Sequence, residues 1–137
     1  MTAHRSPARW GAAALLVVAA LVHLPLVPAH LKEAPYVGWL FIAFVVVCLT
    51  LAVALVLVDT SVAWLASGSV ALAALVAFLV SRTVGLPQLG DEMGNWTDPL
   101  GYPAMASEAL MAGLAALILI RRRTSAGGTA HHLGSNQ

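Results

Sequence analysis

The sequence predicts an all-α integral membrane protein: four transmembrane helices in an up-down-up-down bundle, with a long outer loop between helices three and four. Three observations carry this. The chain of 137 residues is 60% hydrophobic and 9% charged, whereas a soluble domain carries roughly 25% charged residues. Four apolar runs, 10–30, 37–58, 61–80 and 104–120, are each long enough at ~1.5 Å rise per residue to cross a hydrocarbon core of ~30 Å. No polar stretch is left that could build a second domain. Residues 1–123 are therefore one transmembrane domain, and the Gly-, Ser- and Ala-rich stretch 124–137 reads as a mobile cytoplasmic tail.

The first run is an uncleaved helix, since it exceeds the roughly 7 to 15 apolar residues of a signal peptide and lacks a small-x-small site before a polar mature domain. In the second, Cys48 sits mid-span as a small apolar residue, and the absence of a polar face predicts a helix that faces lipid or meets a partner. The third repeats Ala63, Ser67 and Ala71 at four-residue spacing and the fourth Ala109 and Gly113, the small-residue pattern that lets helices approach closely. Links of about six and two residues make neighbouring spans antiparallel, with the first and fourth also touching.

Arg5 and Arg9 before the first span, and Arg121, Arg122 and Arg123 after the fourth, put both termini in the cytoplasm of a bacterial inner membrane by the positive-inside bias. Trp10 and Trp64 then fall at the inner interface, and Tyr36, Trp39, Trp96 and Tyr102 at the outer one. Residues 81–103 are too rich in Gly and Pro for continuous helix, and loops this long are usually functional. Their apolar members, Val84, Leu86, Leu89, Trp96 and Leu100, predict a lid folded over the outer mouth. Arg82 is expected to brace it through Asp91, Glu92 or Asp98.

Few polar residues lie inside the spans, and depth counting pairs two of them. His23 is about 21 Å of helical rise beyond Arg9, and Glu108 about 19.5 Å before Arg121. Intramembrane ionisable groups face the interior and pair, so His23 and Glu108 are expected to meet and share one proton. His30 lies about 10.5 Å further out than His23, too far for both to hold one metal ion through bonds near 2 Å. His30 and Glu33, at i and i+3, converge on one face. With Asp91 or Glu92 from the lid they give nitrogen and oxygen donors suited to zinc, iron or copper, so His23, His30, Glu33, Asp91, Glu92 and Glu108 form the candidate metal set, with Arg82 and Asp98 as structural polar residues.

"SRTVGLP" at Ser81–Pro87, the acidic segment after it and the late Glu108, together with His23, Pro28, His30, Glu33 and Gly38, resemble small four-span integral membrane proteins of high-GC Gram-positive bacteria. The resemblance implies the four-span architecture and adds weight to the outer polar cluster. It implies no activity.

No nucleophile beside a base, no phosphate-cradling loop and no thiolate pair points to an enzyme, and a net charge of +1 concentrated at membrane flanks gives no nucleic-acid surface. Three readings remain. The first is an outward-facing His/Glu/Asp site in the bundle for a metal ion or redox cofactor. The second is an accessory subunit or assembly factor that meets a membrane-protein partner or a second copy. The third is a proton or cation relay through His23 and Glu108, which the apolar inner halves of the helices disfavour.

Overall fold

The computed structural model describes residues 5–133, with side chains to residue 127. Helix α1 (Ala8–His23) passes through a 3-10 turn at Leu24–Leu26 into α2 (Val27–Glu33); α3 spans Pro35–Leu57, α4 Ser61–Thr83 and α5 Gly101–Leu133. Four stretches are long and apolar enough to cross a membrane: Ala8–Glu33, Pro35–Leu57, Ser61–Thr83 and Gly101–Gly127. The chain is thus an all-α, four-span bundle.

Each boundary has a local cause. Pro25 and Pro28 supply no backbone N–H to the turn before them, and the helix tightens into 3-10 form there before resuming. Ala34, placed before Pro35, is held out of the helical region at φ −142°, ψ 80°, as the residue before a proline is. Pro35 then opens α3 at a position where no N–H is needed. The sequence suggests a six-residue link here, but Ala34 alone joins the first two spans. The second link is Val58 to Thr60, and the Thr60 hydroxyl caps α4 by accepting the Ala63 N–H at 3.2 Å.

Beyond the fourth apolar run the chain stays helical. The Thr124 and Ser125 hydroxyls donate to the Arg121 carbonyl at 2.9 and 3.0 Å, and the helix extends to Leu133. Adding residues to an existing helix is far easier than nucleating one, so the Gly- and Ser-rich stretch continues α5 as far as Leu133. Residues 134–137, and the side chains of His131 and His132, lie outside the described residues.

Around the bundle the order is α3, α1, α5, α4. The seams α4–α5, α1–α3 and α1–α5 are extensive, whereas α3 and α4 touch little. The tight core fills the half nearest the termini, where Leu16, Cys48, Leu55, Trp64, Met111 and Ala115 are almost wholly buried. The small-residue stripe of α4 is at the contact, with Ser67 at 0% and Ala71 at 3% exposure. Its partner on α5 is Ala115, whose Cβ lies 2.7 Å from where a Cβ on Gly68 would stand. Ala109 and Gly113, the pair singled out by spacing, face outward instead. The inner face of α5 is set by the bulkier Met111 and Ile118 and by Glu108.

Gly38 marks the closest approach of α2 and α3. A Cβ there would lie 2.7 Å from the Leu31 backbone nitrogen and side chain, and backbone cannot yield cheaply. Gly38→Ala is expected to cost about 1 to 3 kcal/mol by overpacking, read as a lower melting temperature in detergent. An unchanged melting temperature would mean that the hairpin opens without penalty.

Candidate functional site

The half of the bundle away from the termini is loosely packed and opens between α3 and α4. Between α2, α3 and α4, beneath the connection 84–100, lies a cavity of about 930 Å³. Its trunk is apolar, built from Leu40, Phe44 and Val47 of α3 and Val70, Ala74 and Ala77 of α4. Its rim is polar, with His30, Glu33, Arg82, Glu92 and Asp98 among the lining side chains, and His23 reaches it from deeper in α1.

Three contacts besides the charged groups hold the connection over this rim. Leu89 is buried with Ala34 and Val37, Tyr36 donates its hydroxyl to the Pro87 carbonyl at 2.7 Å, and Trp96 packs edge-on to Phe78 at 6.4 Å between centroids. Gly85 and Gly94, at φ +84° and +78°, provide the reversals that bring it back. Arg82, only 6% exposed, is the charged anchor. Its guanidinium lies over the Phe78 ring at 4.8 Å and pairs with the Glu92 carboxylate and with Asp98 at 3.2 Å. Asp98 also accepts the Leu100 N–H at 3.0 Å. The partners of Arg82 are therefore Glu92 and Asp98; Asp91 is not one of them.

His23 and Glu108 do meet: Nε2 and Oε1 are 3.7 Å apart, with the Glu108 side chain 1% exposed. That separation is an ion-pair contact but beyond hydrogen-bond reach, and Glu108 Oε2 has no hydrogen-bond partner at all. The Nδ1 of His23 donates to the Ala19 carbonyl and that of His30 to the Leu26 carbonyl, both at 2.9 Å. Each is bound one turn back along its helix, so Nε2 is the nitrogen turned away from the backbone in both rings, and in His23 it is the one that faces Glu108. Phe41 packs edge-on against the two imidazoles, with centroids 5.0 Å from His23 and 4.8 Å from His30. A phenyl ring fills the gap that helical rise opens between them.

Of the six residues expected to hold a metal, His23, His30, Glu33 and Glu92 line this cavity, while Asp91 and Glu108 do not. Glu92 is drawn to Arg82, and Glu108 stands behind His23. Among the described residues no group of three or more His, Cys, Asp or Glu side chains converges to hold a metal ion, so the expected zinc, iron or copper site has no coordination set there.

A second polar cluster, at the end of the bundle near the termini, escaped the sequence. Asp59 is 8% exposed and sits at φ +49°, a left-handed conformation that Asp tolerates better than most residues. Its carboxylate accepts the Trp64 indole N–H at 2.6 Å, Arg122 at 2.6 Å and the Ser6 backbone N–H, and its carbonyl accepts Arg122 again at 3.0 Å. Burial alone would raise the Asp59 carboxyl, but these hydrogen bonds and the Arg122 charge outweigh it and hold the group below the usual carboxylate range. Trp64, expected as an interfacial anchor, is 0% exposed because this bond turns its indole inward. Only the sequence separation of five residues between Asp59 and Trp64 hinted at the pairing. No known family, curated protein or solved structure matches this chain.

Proposed function

We propose that this protein is a binding protein of the membrane, which takes an amphiphilic molecule from the bilayer into the cavity between α3 and α4. The connection 84–100 serves as a lid on the outer side, and both termini lie in the cytoplasm. The observation that carries this is the cavity of about 930 Å³ with an apolar trunk and a polar rim. That size is within the roughly 300 to 1,000 Å³ of small-molecule sites. Its polarity runs as a membrane amphiphile does, with the head at the interface and the tail toward the bilayer centre. The loose α3–α4 seam beside it supports entry from the lipid phase.

The test is to fill the trunk. Ala74→Trp places an indole in the cavity while leaving the rim and the α4–α5 contact untouched. Wild-type protein purified in mild detergent is expected to carry close to one tightly held amphiphile per chain by mass spectrometry of organic extracts, and Ala74→Trp to lose most of it while melting no lower. Equal amphiphile content in both proteins would mean that only surface lipid is carried, and the reading would fall.

A further inference from the structure

Resting on that reading, we infer that the cavity selects a cationic head, an amine or quaternary ammonium carried on an apolar body. Three carboxylates, Glu33, Glu92 and Asp98, line the rim against one guanidinium, that of Arg82. Both terminal nitrogens of Arg82 are already engaged, by Glu92 and Asp98, which leaves only its Nε–H without a partner, and the rim keeps a surplus of negative charge. At the edge of a membrane this surplus acts through a medium less screening than water, where it favours a cation strongly.

Two further features point the same way. The histidine Nδ1 atoms are occupied as donors to backbone carbonyls, which leaves Nε2 as the nitrogen of His30 that can accept an ammonium N–H. Tyr36 and Phe41 also line the cavity, and aromatic faces attract cations through the ring quadrupole. Phe78 already does so for Arg82 at 4.8 Å. Carboxylates, an imidazole acceptor and aromatic walls all complement positive charge.

Tetraphenylphosphonium and tetraphenylborate, bulky apolar ions of closely similar shape and opposite sign, isolate the charge. Titrated into purified detergent-solubilised protein, the phosphonium is expected to bind at least about tenfold more tightly than the borate. Glu33→Gln, a change at the exposed rim that disturbs no packing, is expected to weaken the phosphonium about three- to tenfold and Glu33→Lys to weaken it further, with the melting temperature unmoved. Ala74→Trp should abolish its binding. Borate binding as tight as phosphonium, or indifference to Glu33→Lys, would overturn the charge preference. If both ions bind alike and both are lost in Ala74→Trp, the cavity reading stands without it. If neither ion responds to Ala74→Trp, both fall.

Discussion

Asp59→Ala is expected to lower the stability of the bundle by about 3 to 5 kcal/mol, the cost of removing one partner from a buried charge pair. The carboxylate joins three parts of the chain: the Ser6 backbone before α1, the Trp64 indole on α4 and the Arg122 guanidinium on α5. Without it the Trp64 N–H is buried without an acceptor and Arg122 loses its counter-charge. Asp59→Asn tolerates the φ of +49° and keeps an acceptor oxygen, so it should recover part of the loss. Thermal or denaturant unfolding in detergent measures all three proteins. A melting temperature for Asp59→Ala within a degree or two of wild type would show that the cluster is dispensable.

The same group sets an acid limit. Because the folded state holds Asp59 below the ordinary range, its contribution is fully present above the unfolded value of about 3.9 and is lost as pH falls through the folded value. Wild type should therefore lose stability on acidification below about pH 4, and Asp59→Asn should lose less over the same interval.

Glu108→Met is expected to act in the opposite direction, raising stability by about 1 to 4 kcal/mol. The Glu108 carboxyl is 1% exposed in the centre of an apolar bundle, has one oxygen without a partner, and meets His23 only at 3.7 Å. Burying such a group is costly, and an apolar side chain of similar length removes the cost while filling the same space. A higher melting temperature would mark Glu108 as a residue kept for what it does, not for holding the fold. A fall of several degrees would instead make the pair with His23 a brace between α1 and α5.

Much of this architecture is legible in the chain, because spans follow from apolar length and depth follows from rise per residue. Counting from Arg9 and Arg121 brings His23 and Glu108 to one level, and they are in contact. What counting cannot supply is rotation about the helix axis. Ala109 and Gly113 have the spacing of a contact stripe yet face outward, while Trp64 has the position of an interfacial anchor yet faces in. Turns are also opaque: Asp59 reads as a polar turn residue, and only the fold shows it receiving N–H groups from residues 6, 64 and 122. For a related reason the six expected metal ligands are not brought to one point among the described residues. Height and helix face do not fix position around the bundle, where Glu92 is claimed by Arg82 and Phe41 stands between the two histidines.

The loose seam between α3 and α4 fixes which concentration matters to anything that enters the cavity. A molecule arriving through that seam comes from the lipid phase, where an amphiphile is enriched over water by its own partitioning. Occupancy then depends on its abundance among neighbouring lipids, and a site of modest intrinsic affinity can stay filled while the surrounding water holds almost none. Affinities measured in detergent would need correction for partitioning into the micelle before they describe the membrane. Changes in bilayer composition would reach the cavity directly, without any event at the aqueous face.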